Sequence, residues 1–365
     1  MIGLEQAFSP SYARARVRFL EAAAAGGLAI VSHDHPLKGA EGETLAMDVA
    51  LDGSPQADRL LIVSSACHGV EGFCGSGVQV YALHDAAWRA QARDAGVAVL
   101  YIHALNPYGF SHRRRVTHEN VDLNRNFQDF SRPLPVNAAY AELHPLLLPG
   151  QWPPTQENRA AIDAYIGQQG LTRYQAAVSQ GQYQFPDGLF FGGHAPTWSH
   201  RVLRQVLRRH ASRAQRVAWI DLHTGLGPSG VGERIYAGRD EAPALERARA
   251  WWGGDGQTPV TSIYDGSSTS ALLSGLMWCA FYEECPQAEY TGLALEYGTE
   301  PITTVLEALR ADHWLHLHPE ADVTLREAIG RQMMQAFYTD TDVWRGQVLA
   351  QARQAMCQAV VGLAT

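Results

Sequence analysis

Four short polar clusters follow or interrupt apolar runs, where together they could act on one ligand. The first is Cys67-His68-Gly69-Val70-Glu71-Gly72. A histidine and a glutamate three apart in a glycine-flanked turn can converge on one metal ion, because imidazole nitrogen and carboxylate oxygen are both zinc donors. Alone, such a pair in a loop is more often surface polarity. The second is Asp221-Leu222-His223-Thr224-Gly225. His223 with His68 and Glu71 would leave the fourth tetrahedral position open, the layout of a catalytic zinc site. The competing reading is a core histidine satisfied by Asp221. The third cluster runs from Asn106-Pro107-Tyr108-Gly109-Phe110 through Arg113-Arg114-Arg115 to Asp122-Leu123-Asn124-Arg125-Asn126-Phe127. Arginine grips carboxylates through two N–H bonds and stabilises a developing oxyanion. Arg113 and Arg114 read as solvated loop charge, whereas Asp122 to Arg125, with an interleaved leucine, reads as half-buried and hydrogen-bonded. The fourth is Ala294-Leu295-Glu296-Tyr297-Gly298-Thr299. Desolvation of a carboxylate inside an apolar strand raises its pKa toward the value a general base needs. The alternative is a glutamate on the open face of an edge strand.

The elements that must position these clusters follow from apolar patterning. Residues 59–65, 96–103, 216–223 and 293–297 are near-continuous apolar runs, the signature of strands buried on both faces. Shorter strands are expected over 28–32, 44–51 and 233–237. Helices are expected over 10–25, 77–91, 138–147, 156–168, 202–210 and 241–251, with a mostly helical chain from Val305 to Ala364. Strand 59–65, helix 77–91 and strand 96–103 make a βαβ unit. The predicted fold is α/β: a central mixed, mostly parallel sheet flanked by helices, with a helical C-terminal segment and a single domain over 1–365. Three of the four clusters then lie just beyond strand ends, where open α/β sheets bind ligands, and the fourth lies within a strand.

Composition narrows the partners. The chain has 365 residues, is 46% hydrophobic and 18% charged, and carries a net charge of −8. That balance opposes a nucleic-acid partner. No apolar run approaches a membrane span, the N-terminus lacks the pattern of an export signal, and five irregularly spaced cysteines read as reduced thiols. The expectation is a cytoplasmic protein with no membrane association; the oligomeric state is not legible.

Taken in order, H-x-x-E, N-P-x-G, an arginine, D-x-N-R-N, a distant histidine and a late strand glutamate resemble the zinc carboxypeptidase superfamily. That group is carboxypeptidase A-like and includes succinylglutamate desuccinylases and aspartoacylases. The wording NPYGF…RRV…VDLNRNF with DLHTG and ALEYGT most resembles a bacterial branch of unknown function with an M14-type peptidase fold. The motifs span about residues 60 to 300. The resemblance implies that His68, Glu71 and His223 bind Zn²⁺ and that Glu296 is the general base. It implies that Arg115 polarises the scissile carbonyl, that Asn124 and Arg125 bind a substrate carboxylate, and that Asp122 orients the first zinc histidine. The implied activity is hydrolysis of a small peptide, with an N-acyl amino acid deacylase as the alternative. Arg115 and Arg125 are closer together than in digestive carboxypeptidases and nearer the acylase branch, which instead ends in a β-rich domain. No tyrosine stands out as a substrate cap; Tyr264, Tyr282 and Tyr290 all precede Glu296.

Other readings are weaker. Gly225-Leu-Gly227-Pro-Ser-Gly230 matches a dinucleotide-binding G-x-G-x-x-G, but Pro228 sits where a helix should open and a strand follows. Cys67 beside His68 could be a nucleophile, although a cysteine in such a turn is usually packing. A zinc-bound protein that binds without turnover would have no need of Glu296. Trp251, Trp252, Trp278 and the aromatic run 183–191 could line a cleft, although core packing more often explains such residues. His33, His35, His313, His316 and His318 read as surface residues.

Overall fold

The computed structural model describes residues 2–254 and 258–365. Its sheet has eight strands: β1 (Ala29–Lys38), β2 (Thr44–Asp52), β3 (Arg59–Ser65), β4 (Val97–His103), β5 (Arg216–Ser229), β6 (Gly232–Tyr236), β7 (Val260–Thr261) and β8 (Glu289–Gly298). Their order is β1-β2-β4-β3-β5-β8-β6-β7. The central β4, β3, β5 and β8 are parallel, and the outer pairs β1/β2, β2/β4 and β8/β6 are antiparallel. This is the expected mixed sheet. Its four central strands are the apolar runs of the sequence, because a strand covered by helices on both faces has no solvent side to mark with polar residues.

Register gathers the polar clusters on one edge. Ser65 pairs with Leu222, and His223 pairs directly with Glu296. Successive residues alternate faces, so Asp221, His223, Ala294 and Glu296 project on one side of the sheet. Ile220, Leu222, Leu293 and Leu295 pack on the other, in the larger core.

Several elements differ from expectation for local reasons. The helix predicted over 77–91 is two, Gly72–His84 and Ala86–Asp94. Asp85 leaves helical geometry between them, and its carboxylate accepts from Trp88 N, capping the second helix. β5 runs past its predicted end, with a register shift between Thr224 and Ser229. The glycine-rich run 225–230 is therefore the arch from β5 into β6. Helix Leu171–Ser179 follows Gly170, whose φ of 84° breaks it from Gln156–Gln169. The C-terminal segment forms helices Ile302–Leu317, Val323–Phe337 and Asp342–Ala364. Among the five histidines expected at the surface, His35 and His313 are instead buried. His35 packs edge-on against Trp198 with ring centroids 4.7 Å apart, and His313 Nδ1 lies 3.2 Å from the Leu309 carbonyl.

Candidate metal centre

The turn after β3 is stitched to the segment after β4. Leu105 and Asn106 donate their N–H groups to the carbonyls of Ser65 and Ala66, and Gly69 and Val70 donate to Arg115 and Arg114. Asn106 caps the helix Pro107–Ser111 by accepting from Gly109 N, and its Nδ2 donates to the Arg115 carbonyl at 3.3 Å. The Asn-Pro-x-Gly sequence is thus an N-cap followed by proline at the first helical position. Gly69 has no alternative: a Cβ there would lie 2.0 Å from the Gly109 carbonyl carbon. These contacts place His68, Glu71 and Arg115 side by side.

Glu71 is the hub. Its Oε1 lies 2.8 Å from His68 Nδ1, and its Oε2 lies 3.0 Å from His223 Nδ1. The outward nitrogens are anchored on carboxylates, His68 Nε2 3.2 Å from Asp122 Oδ1 and His223 Nε2 2.6 Å from Asp221 Oδ2. All three residues are buried, and one ligand atom from each lies within 4.8 Å of the others. Two imidazoles and a carboxylate converging in this way, each histidine backed by a second carboxylate, is donor chemistry that suits zinc. Cys67, Asp221 and His223 form a second possible grouping. It is the poorer one, because burial pushes the Cys67 thiol well up and Asp221 Oδ1 already accepts from Ser64 Oγ.

Electrostatics reinforce the hub. Burial alone would raise the Glu71 pKa, but His68 and His223 hold it well below the usual carboxylate range. Burial disfavours the imidazolium of His223, yet Asp221 and Glu71 outweigh it and raise its pKa well above the ordinary value. Asp122 is likewise held far down, against burial, by Arg115, His68 and Arg125. Glu296 goes the other way: burial first, then the charge of Glu71, pushes its carboxyl up to about 8. Its Oε1 accepts from Leu226 N in the β5–β6 arch at 2.9 Å.

The arginines surround this group. Arg115 donates from Nε to Asp122 and from Nη1 to Glu71, while its Nη2 lies 2.8 Å from His68 Nε2. Arg125 is buried, its Nε and Nη2 donating to the Ser179 carbonyl and its Nη1 to the Asn124 carbonyl. Asn124 Oδ1 accepts from Met277 N. Arg114, expected in solvent, is buried against Asp312, with Nε donating at 2.9 Å. The eight residues singled out from sequence, His68, Glu71, Arg115, Asp122, Asn124, Arg125, His223 and Glu296, therefore meet in one place. All of them except Asp122, which stands behind His68, line one cavity with about 1050 Å³ of empty space including its mouth.

Sequence reasoning missed two participants. Phe190 lies under both guanidinium groups, 5.0 Å from Arg115 Cζ and 5.6 Å from Arg125 Cζ, on a backbone with φ of 52°. Its neighbour Phe191 accepts from Asp122 N through its carbonyl. The aromatic run 183–191 hinted at a cleft, but nothing in composition marks which ring faces the arginines. The Leu226 N–H is the other, and a backbone donor leaves no sequence signal.

A family model described as a protein of unknown function, DUF2817, matches residues 8–351. A search of curated proteins finds no match. Among solved structures, bovine thrombin-activatable fibrinolysis inhibitor in complex with tick carboxypeptidase inhibitor is similar over 98% of each chain, with a TM-score of 0.52 and 8% identity. A Pseudomonas aeruginosa metallo-carboxypeptidase in complex with (2-guanidinoethylmercapto)succinic acid aligns over 95% of this chain and 67% of its own, at a TM-score of 0.42 and 11% identity. A candidate succinylglutamate desuccinylase/aspartoacylase from Shewanella frigidimarina aligns over 80% of this chain and 70% of its own, at 0.33 and 16%. The sheet, its flanking helices and the helical C-terminus have the carboxypeptidase-like fold.

Proposed function

The chain belongs to the DUF2817 family, and we propose that this member is a zinc-dependent hydrolase of amide bonds, a carboxypeptidase-like metallopeptidase acting on small substrates with a free carboxylate. One observation carries the reading: the Nδ1 atoms of His68 and His223 approach opposite oxygens of Glu71, in a cavity that also holds Glu296 and Arg115. Zinc held by His68, Glu71 and His223 would supply a Lewis acid for the carbonyl and lower the pKa of water to about 7.

The chain's own residues do the rest. With Nδ1 given to a metal, each imidazole keeps its proton on Nε2 and donates to Asp122 or Asp221. His68 Nε2 then no longer accepts from Arg115 Nη2, which is released toward the cavity. There Arg115 faces the carbonyl oxygen as it gains charge. Glu296 takes a proton from the attacking water and returns it to the leaving amine. Arg125 commits one N–H from each of its three nitrogens to carbonyls. That leaves one on each Nη, a fork for a substrate carboxylate beside Asn124.

The second reading, an N-acyl amino acid deacylase, is favoured by the ten-residue spacing of Arg115 and Arg125. Both are tested by a hydrolysis panel of zinc-loaded protein: peptides with free C-termini, their amides, and N-acyl amino acids, each with and without chelator. Cleavage that requires the free carboxylate and stops with chelator supports the proposal, and the products separate the two readings. Zinc-loaded protein that turns over none of them counts against hydrolysis and favours a ligand-binding role.

A further inference from the structure

We propose that Asp312 is a positioning residue: through a buried bond to Arg114 it fixes the backbone from which Arg115 reaches the metal centre. This rests on the amide-hydrolase reading and adds to it a residue that does not itself line the cavity. Three consecutive arginines part company at this turn. Arg113 is exposed, Arg114 is buried against helix Ile302–Leu317, and Arg115 enters the metal centre. Arg113 has a φ of 55°, in the left-handed region that a residue with a side chain occupies only where its surroundings hold it.

Two holds act on the chain just after Arg113. The first comes from the metal-binding turn: the Arg114 carbonyl accepts from Val70 N at 2.9 Å, and the Arg115 carbonyl from Gly69 N at 3.0 Å. The second comes from a helix remote in sequence, where Arg114 Nε donates to Asp312 Oδ2 at 2.9 Å. Stability does not account for this second hold. Arg114 Nη1 and Nη2 are buried without a hydrogen-bond partner among the described residues, so the guanidinium uses one of its five N–H groups. Unmade bonds of a buried charge are costly, and an apolar pair of similar volume is often at least as stable in such a place.

No neighbour needs the charge either. Among the described residues Asp312 has its one ion pair with Arg114. His313, next to it, is kept neutral by burial and then by the charge of Arg114. What the pair does accomplish is geometric. The same helix supplies Ile302, Val305, Leu306 and Leu309 to the cavity wall. The bond therefore sets the backbone of Arg115 against the helix that bounds the substrate. In the proposed reaction Arg115 exchanges His68 Nε2 for the carbonyl oxygen while its Nε stays on Asp122. So short a swing is aimed by where its Cα is held, and a misplacement of about 1 Å costs about 100-fold in rate.

The test pairs turnover with a readout that needs none. Asp312→Asn should lower kcat about 10- to 100-fold on the panel substrate that is cleaved, with KM little changed. In an Arg115→Ala background the same substitution should change kcat by less than about 2-fold, because the group it positions is gone. An equal loss in both backgrounds, a change in KM alone, or no loss would overturn the inference. In isotope-labelled, zinc-loaded protein, the Arg115 Nε–H resonance, identified by its absence from Arg115→Lys, should shift in Asp312→Asn. That of Arg125, identified in the same way, should hold its place. An unmoved Arg115 resonance, or equal shifts of both, would overturn the inference whatever the turnover result. A shift confined to Arg115 in protein that cleaves nothing would retain the link from Asp312 to Arg115 and remove the hydrolysis. If Asp312→Asn fails to fold, Arg114→Met with Asp312→Asn removes both charges, leaves neither unpaired, and is read in the same way.

Discussion

At the residue scale, the centre is a set of shared protons. Without metal, His223 is held as imidazolium by Asp221 and Glu71, and the Glu296 carboxyl, pushed up to about 8, is mostly protonated at neutral pH. A metal ligand must be a neutral imidazole, and a nearby dication favours the carboxylate. Zinc uptake at pH 7 should therefore release protons. The sign follows: apparent zinc affinity rises as pH rises toward 8, because fewer protons remain to be displaced. Calorimetric titration in buffers of different ionisation enthalpy measures the release directly, and a buffer-independent heat would contradict it. Glu296 and Arg115 act on the reaction rather than on the metal. Glu296→Gln should lower kcat by about 10²- to 10⁴-fold. Arg115→Ala should lower it about 10²- to 10³-fold with KM little changed, because its partner charge appears only in the transition state. Both variants should still bind one zinc per chain, as metal analysis would verify.

At the element scale, the site exists because loops after neighbouring parallel strands are bonded to each other. The close approach of Gly69 to Gly109 is the tightest of these contacts, so Gly69→Ala forces the turn away from helix Pro107–Ser111. A loss of about 1–3 kcal/mol in urea denaturation is expected, together with weakened zinc binding. Gly330→Ala is the control: its Cβ meets nothing within 4 Å in helix Val323–Phe337, and it should be neutral or slightly stabilising. Equal behaviour of the two variants would contradict this account of the turn. The same scale explains what was legible. Buried strands are written as apolar runs, so β3, β4, β5 and β8 and the clusters at their ends could be read. The break at Asp85 was hidden because its neighbours continue a helical pattern, and only the cap that Asp85 forms reveals it. Arg114 read as solvent-exposed because its partner Asp312 lies 198 residues away. Phe190 could not be told from the other rings of the run 183–191, because its role comes from a left-handed backbone placing one ring among several.

At the scale of the whole molecule, the C-terminal helices close the fold over the sheet. Tyr297 and Trp344 cross-link β8 to helix Asp342–Ala364 through bonds to the Val348 and Gly298 carbonyls. Arg216, at the start of β5, donates to the Leu363 carbonyl, and Arg353 pairs with Asp85. No described helix is long and apolar enough to cross a membrane. We propose from this bonding that residues 1–365 form one domain, which should unfold in a single calorimetric transition; two resolved transitions would contradict it. The central claim is the metal centre, and its most direct test is a crystal structure of zinc-loaded protein phased at the zinc edge. The account predicts one zinc bound by Nδ1 of His68, Nδ1 of His223 and the Glu71 carboxylate at about 2.0–2.2 Å, with Arg115 Nη2 withdrawn from His68. Zinc bound by Cys67 and Asp221 instead, or no anomalous peak among these residues, would contradict it.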